Sequence, residues 1–500
     1  MMRKSRKQVY SILMVTTEIM PIAKSGGMAD AVSALAQELD RGGHDVRILM
    51  PRYRSIERER LYRYPTPYTV RVGQSVYTTA LFEGRLGDSS VVVYYLDYED
   101  LYAREGIYGA GSDGYPDNLR RFSVLSHAAV QLGGFIGWHP HVIQSHDWPT
   151  ALVPLAATRT TRRSEQRPAT VLTIHNVGYQ GSFPVADFPQ TGFGWADLTD
   201  SGLLHHDEIN LLRCGIISSD MITTVSPRYA EEIQTPRKGF LLDQELSSRK
   251  GSLVGILNGV DYAVWNPERD PFLDVKYTSE TVALKSRIKK KLQEELDLPV
   301  DERAPMIGMI SRLVEQKGWD EMITPGFGAL ADILGGTNAQ VVVLGSGEPR
   351  YEYYLRQLAH RYDNLAAVIG FDERLAHVIE AASDFILMPS RYEPCGLNQL
   401  YSMRYGTLPI ATRTGGFVDT IEQAGPRGGT GFFIDEPSPV SITAAVRDAL
   451  KIWHGERNRI EAMQRTAMKE RFSWESAAAA YVDVFERAIE VARSSSRAAG

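Results

Sequence analysis

The chain has 500 residues, 43% hydrophobic and 23% charged, ordinary globular proportions that allow large cores in two or three domains at about 100–200 residues each. A net charge of −6, from 55 basic and 61 acidic residues, argues against bulk binding of DNA or RNA, whose affinity comes from neutralising phosphates, yet permits a small anion met by a few local cations. Two cysteines, Cys214 and Cys395, exclude a disulfide framework and a multi-cysteine metal site and point to a reducing, cytoplasmic setting; no apolar run approaches the ~20 residues that span a bilayer.

Residues 1–8 are basic and 9–15 mostly apolar, an imitation of a signal peptide. The apolar stretch contains Tyr10 and Ser11 and runs into Thr16-Thr17-Glu18 with no small-x-small cleavage site, so a short tail before a buried strand is expected. Largely apolar strand candidates then recur at 11–15, 46–50, 91–96, 142–145, 171–174 and 221–225, and again at 306–310, 341–344, 367–369, 385–388 and 408–411. Amphipathic stretches separate them, the pattern of parallel strands joined by helices, hence an α/β chain. Ala29, Val32, Leu35, Ala36 and Leu39 mark the buried stripe of one such helix, which Gly42-Gly43 ends.

A proline-bounded stretch from Asn266 to Pro305, with a charged helix near 281–296, is expected to separate two halves, with the boundary near 270. The expectation is an N-terminal Rossmann-like domain over 1–270, a second one over 271–475, and a terminal helix over 476–500 that packs back on the first, frayed from Arg493. Two doubly wound sheets facing each other would put their carboxyl edges around one cleft.

The first strand leads into Glu18-x-x-Pro21-x-x-Lys24-Ser25-Gly26-Gly27-Met28-Ala29-Asp30. A strand, a glycine turn and a helix N-terminus form an anion cradle, because unpaired N–H groups and the positive dipole end meet there. Taken alone this is weak, since a plain turn with Lys24 in solvent has the same look. The spacing fits neither G-x-G-x-x-G nor the Walker pattern. The segment does resemble the lysine–glycine–glycine signature of bacterial glycogen synthases and plant starch synthases, retaining glucosyltransferases of the GT-B fold. Ser25 and Met28 stand where that family usually has Thr and Leu. The motif, with Glu18, Lys24, Gly26, Gly27 and Asp30, is thereby implied to bind substrate.

Further segments match the same family in order. Tyr108-Gly109 and Asp117-Asn118 resemble its acceptor side, which implies substrate contacts for Tyr108 and Asn118. His146-Asp147 and His175-Asn176 follow two strands, where a sheet of this type places its site. By resemblance His175 and Asn176 line the glucose pocket, Asp147 sits by sugar and acceptor, and Asn258 of Gly255-Ile-Leu-Asn-Gly259 reaches the sugar. Each lone His is also compatible with a packed core residue, and Asn258-Gly259 with a simple turn. The histidine pairs His139/His141 and His205/His206 lack a third ligand pattern for zinc.

In the second half, Arg312 offers a guanidinium fork and Lys317 a point charge, which the resemblance assigns to a diphosphate. Gly345-Ser346-Gly347 is a partial nucleotide loop. Ser390-Arg391-Tyr392-Glu393-Pro394-Cys395-Gly396-Leu397 is the most specific segment. By resemblance Glu393 contacts the donor glucose, while N–H groups of the segment, at Cys395, Gly396 and Leu397, hold sugar hydroxyls and phosphate; Thr414-Gly415-Gly416 is expected near the distal phosphate or ribose. Cys395 is expected to be a packed residue and not a catalytic thiol.

The resemblance, over about residues 10–480, implies transfer of glucose from a nucleotide sugar, ADP-glucose in the bacterial family, to the non-reducing end of an α-1,4-glucan (glycogen or maltooligosaccharide). The expected catalytic set is Glu393, Asp147, His175, Lys317 and Arg312. No D-x-D occurs anywhere, so cations and backbone dipoles are expected to replace a metal, with no cofactor and no membrane partner. Alternatives are a sucrose- or trehalose-type synthase, or use of UDP-glucose; the base-contacting loops carry no pattern that separates ADP from UDP. A tandem dinucleotide oxidoreductase lacks its fingerprint here, a non-catalytic glucan binder would not need every charged motif residue, and a phosphorylase would be far longer.

Overall fold

The computed structural model describes residues 8–110, 114–160, 167–324, 326 and 328–498. The basic start at 1–7 and the last two residues of the expected frayed end, 499–500, lie outside them. The chain divides into two compact units, Met1–Gly259 with Trp474–Gly500, and Val260–Ser473.

The first unit contains β1 Ser11–Val15, β2 Asp45–Pro51, β3 Tyr62–Arg63, β4 Tyr68–Val72, β5 Ser75–Arg85, β6 Val92–Asp97, β7 Val142–His146 and β8 Ala169–Ile174. It continues with β9 Ser182–Pro184, β10 Leu204–His205, β11 Glu208–Asn210, β12 Met221–Thr224 and β13 Leu253–Gly255. Its main sheet runs β13-β12-β8-β7-β1-β2-β6-β5-β3, with β4 paired to β5. From β13 to β6 all pairs are parallel, whereas β3, β4 and β5 form an antiparallel extension. The strands β1, β7, β8 and β12 are buried almost end to end, as expected of a sheet covered on both faces. One face carries helix Gly27–Arg41 and the other helix Asn118–Ile136.

The second unit contains β14 Met306–Ile310, β15 Gln340–Gly345, β16 Leu365–Ile369, β17 Phe385–Met388, β18 Leu408–Thr412 and β19 Phe432–Ile434. Every pair is parallel, in the order β16-β15-β14-β17-β18-β19. Counted within the unit this is 3-2-1-4-5-6, the doubly wound nucleotide-binding order. The chain reverses direction across the sheet between β14 and β17. In the first unit the equivalent reversal lies between β1 and β7.

The boundary differs from the expected position near 270. Val260 donates its N–H to Phe472 O (2.8 Å) and bridges Ser473, so the second unit starts there. The charged segment read as a separator is packed into that unit. Lys285 is buried and donates to Ala381 O (2.7 Å), Tyr405 O (2.9 Å) and Thr407 Oγ1 (2.8 Å), while Lys289 pairs with Asp384 (2.8 Å). These lysines look solvated in sequence because their partners are backbone carbonyls and a distant carboxylate. The terminal helix is Trp474–Ala498, which continues past Arg493; its Tyr481, Val484, Phe485 and Ile489 complete the core of the first unit.

Candidate active site

At the reversal point of the second unit, the loops after β14 and β17 meet. Lys317 Nζ lies 2.6 Å from Glu393 Oε2, and Ser390 Oγ donates to the same oxygen at 3.0 Å. Arg391 N donates to Gln316 O at 2.9 Å, and the Asn398 amide reaches Ile310 O at 2.5 Å, so the two loops are stitched by backbone as well as by charge. Glycines permit this closeness. A Cβ on Gly318, whose φ is +80°, would overlap Pro389 O; one on Gly415, at φ +44°, would overlap Glu393 O; and one on Gly416 would overlap Cys395 O. Loops after β14, β17 and β18 are thereby interlocked around Glu393, which is 8% exposed.

Arg312 projects from the same edge, exposed and with no ion pair among the described residues. Cys395 is buried, consistent with its expected packing role, and its carbonyl accepts from the Gln399 amide (3.1 Å). Leu397 opens helix Asn398–Arg404, next to Gly396 in the left-handed region at φ +70°. Thr414 is buried, and the Gly416 N–H is spent on Glu393 O (3.2 Å). Sequence reasoning did not single out Ser390 as Glu393's partner. Phe371, two residues past β16, is 83% exposed.

The first unit's reversal point holds the other predicted residues. Asp147, directly after β7, has φ +55° and ψ −172°, a strained conformation for a residue with a side chain. Its Oδ1 accepts from His175 N (2.7 Å) and Asn176 N (3.3 Å), joining the ends of β7 and β8. Burial pushes its carboxyl up to about 7 against the pull of those two N–H groups, and the charge of Glu18 adds to the rise. Burial drives the His175 imidazole down to about 3 and that of His146 well below its ordinary value. Asn176 Oδ1 turns back to accept from Gly178 N (2.9 Å).

After β1, Glu18 builds the glycine loop from inside. Its carboxylate accepts from Ser25 N (2.6 Å), Ser25 Oγ (2.9 Å), Gly26 N (3.0 Å) and Tyr108 Oη (2.7 Å). Tyr108 is raised well above its ordinary range by burial and by that carboxylate. Asn118 is likewise engaged internally, between Tyr108 O (2.9 Å) and Arg121 (2.6 Å). Lys24 pairs with Asp30 at 2.8 Å near the surface. Gly26 precedes helix Gly27–Arg41 with nothing within 4 Å of an added Cβ. Asn258 is buried just after β13. The structure therefore gathers Lys317, Glu393 and Thr414–Gly416 at one edge, and Glu18, Tyr108, Asp147, His175 and Asn176 at the other. Glu18 and Asn118 hold the loops and have their side-chain oxygens occupied.

Comparison with known proteins shows the family and the fold. The family described as "Starch synthase catalytic domain" matches residues 11–248, and "Glycosyl transferases group 1" matches 291–467. The chain is 45% identical over 483 residues to a glycogen synthase of Treponema denticola, covering 96% of this chain and 98% of that one. It is 40% identical to glycogen synthase 1 of Geobacter metallireducens, with 96% of each covered. The catalytic domain of starch synthase IV from Arabidopsis thaliana, solved with ADP and acarbose, superimposes with a TM-score of 0.86 at 29% identity, covering 97% of this chain and all of that one. A sucrose-phosphate synthase from Thermosynechococcus elongatus shares the fold, at a TM-score of 0.60 and 17% identity.

Proposed function

The chain belongs to the glycogen synthase and starch synthase family of GT-B glycosyltransferases, and from that premise we propose that it transfers glucose from ADP-glucose to the non-reducing end of an α-1,4-glucan with retention of configuration. The observation that carries this reading is the Lys317–Glu393 pair, a cation and a carboxylate held 2.6 Å apart at the reversal point of a nucleotide-binding sheet. Transfer breaks the bond from the anomeric carbon to the diphosphate and forms one to an acceptor hydroxyl. The leaving group gains charge, and fixed cations stabilise it without reorganisation. Arg312 supplies a fork for the phosphates and Lys317 a second charge, shared with Glu393. Glu393 faces the donor sugar and steadies the positive charge that grows on it. The acceptor oxygen attacks on the face the diphosphate leaves, and the hydroxyl proton passes to the departing phosphate oxygen.

In the first unit, Lys24 faces the anion beside the open space at Gly26, whose own N–H is spent on Glu18, and Asp147, His175, Asn176 and Asn258 serve the sugar. The exposed Phe371 ring offers a stacking face for the base. The starch synthase IV neighbour was solved with ADP, which supports adenine over uracil as the base. We propose that these cations suffice without a divalent metal. The two buried free thiols suit a reducing interior, and we place the enzyme in the cytoplasm.

The test is incorporation of labelled glucose into glycogen from ADP-glucose and UDP-glucose in parallel, each with and without EDTA. Preferential transfer from ADP-glucose, undiminished by EDTA, is expected. Transfer only from UDP-glucose would overturn the donor assignment, and a strict Mg²⁺ or Mn²⁺ requirement would overturn the account of the leaving group.

A further inference from the structure

His146 and His175 sit at the ends of adjacent strands β7 and β8, and their rings are joined, His146 Nδ1 to His175 Nε2, at 3.0 Å. Each main chain is pinned separately. His146 N donates to Thr150 Oγ1 (2.6 Å), which donates back to His146 O (2.9 Å), and His175 N donates to Asp147 Oδ1. The rings therefore meet because their backbones are fixed, and neither swings freely. Burial keeps both imidazoles neutral at physiological pH, so each carries one ring proton and two arrangements remain.

The other nitrogen of His146 distinguishes them. His146 is 1% exposed, and its Nε2 is buried with no hydrogen-bond partner among the described residues. If His175 donated to His146, the His146 proton would sit on that Nε2 as an orphaned buried N–H. If His146 donates from Nδ1, Nε2 is a bare lone pair. Orphaned donors are rarer in native interiors than under-used acceptors. The second arrangement places the His175 proton on Nδ1, which makes no hydrogen bond within the protein among the described residues.

We propose that His146 is a positioning residue: by donating from Nδ1 to His175 Nε2 it fixes His175 as the Nδ1–H tautomer, a neutral donor for a hydroxyl oxygen of the transferring sugar. The assignment of that hydrogen bond to sugar rests on the function proposed above; the tautomer does not. A donor matters here because a sugar hydroxyl can either give or take a hydrogen bond. A fixed Nδ1–H obliges the hydroxyl to accept, whereas the opposite tautomer would oblige it to donate. The partners that orient functional imidazoles typically change activity 10–100-fold when removed.

Two variants and one spectrum test this. His146→Asn keeps an N–H donor near the position of Nδ1 and should retain kcat/KM for ADP-glucose within about threefold. His146→Leu removes it and should lose about 10–100-fold, mostly in kcat, with its melting temperature checked so that unfolding is not mistaken for the effect. In ¹⁵N-histidine-labelled protein without substrate, His175 should show a protonated Nδ1 and a bare Nε2, and His146→Leu should mix or reverse that pattern. A wild-type His175 protonated on Nε2, or a Leu variant as active as the Asn variant, would overturn the proposal. Absence of glucosyl transfer by the wild type would instead overturn the function and leave the tautomer standing.

Discussion

At the scale of single residues, Asp147 combines a positive φ with a half-buried carboxyl raised from 3.8 to about 7. A strained, desolvated acid at a strand end supports the sugar-side role proposed for it. The raised value also has a sign for stability. Between about 4 and 7 the folded chain holds a proton that the unfolded chain has released, so stability falls as pH climbs through that window, by at most about 4 kcal/mol. Asp147→Asn removes the titrating group. His146 and His175, kept neutral by burial, act with the opposite sign below about 6.5, so the prediction is a difference: from pH 5 to pH 7.5 the wild type should lose more stability to urea, or gain less, than the variant. Equal changes in both would mean that Asp147 does not contribute to the slope. Sequence placed this residue at a strand end, where the structure also has it, since the apolar start of β7 is visible in one dimension. Its strain was not legible, because the β7–β8 pairing that imposes it joins residues 28 apart.

At the scale of elements, glycines divide into two kinds that look alike in sequence. Gly415 is required by contact, because its Cβ would overlap Glu393 O and its φ is +44°. Gly26 has an allowed φ of −151° and open space where a Cβ would go. Gly415→Ala should therefore destabilise the second unit, by about 1–3 kcal/mol for the forced conformation, and displace Glu393 as well. Gly26→Ala should leave the melting temperature nearly unchanged while raising KM for the nucleotide sugar severalfold, because the added methyl occupies the approach to the cradle. A Gly26→Ala protein with unaltered kinetics would assign that glycine to folding alone. The same scale explains which strands were legible. The parallel strands β1, β14, β15 and β17 carry solid apolar stretches because both faces are covered, whereas β7, Val142-Ile-Gln-Ser-His146, is apolar only at its start and is buried all the same. β4, Tyr68-Thr-Val-Arg-Val72, alternates buried and exposed, so a search for solid runs passes over it and over β5 beside it. The edge strands β13 and β19 are three residues each, too short to stand out. Lys285 and Lys289 show the converse failure, since charge in sequence does not reveal partners drawn from residues 380–407.

For the whole molecule, the order of the chain and the order of the cores disagree. The chain leaves the first unit at Gly259, yet part of that unit's core arrives 215 residues later, with Trp474. Tyr481, Val484, Phe485 and Ile489 are each 8% exposed or less and pack into the cluster that contains Ile12, Val32 and Leu35. Tyr10 Oη donates to Glu486 (2.9 Å), and Arg487 donates to Gly251 O (2.9 Å), so the helix is also tied at the entries to β1 and β13. Burial of four such side chains at about 1.5–3 kcal/mol each is comparable to the entire 5–15 kcal/mol stability of a typical domain. A chain ending at Ser473 should therefore leave the second unit folded, since that unit draws none of its core from the helix, while the first unit exposes an apolar stripe and aggregates. Residues 8–259 made alone should behave in the same way, and joining 474–498 to them through a flexible linker should restore a cooperative melting transition. A soluble, cooperatively melting 8–259 fragment without the helix would show that the terminal helix decorates a core already sufficient by itself.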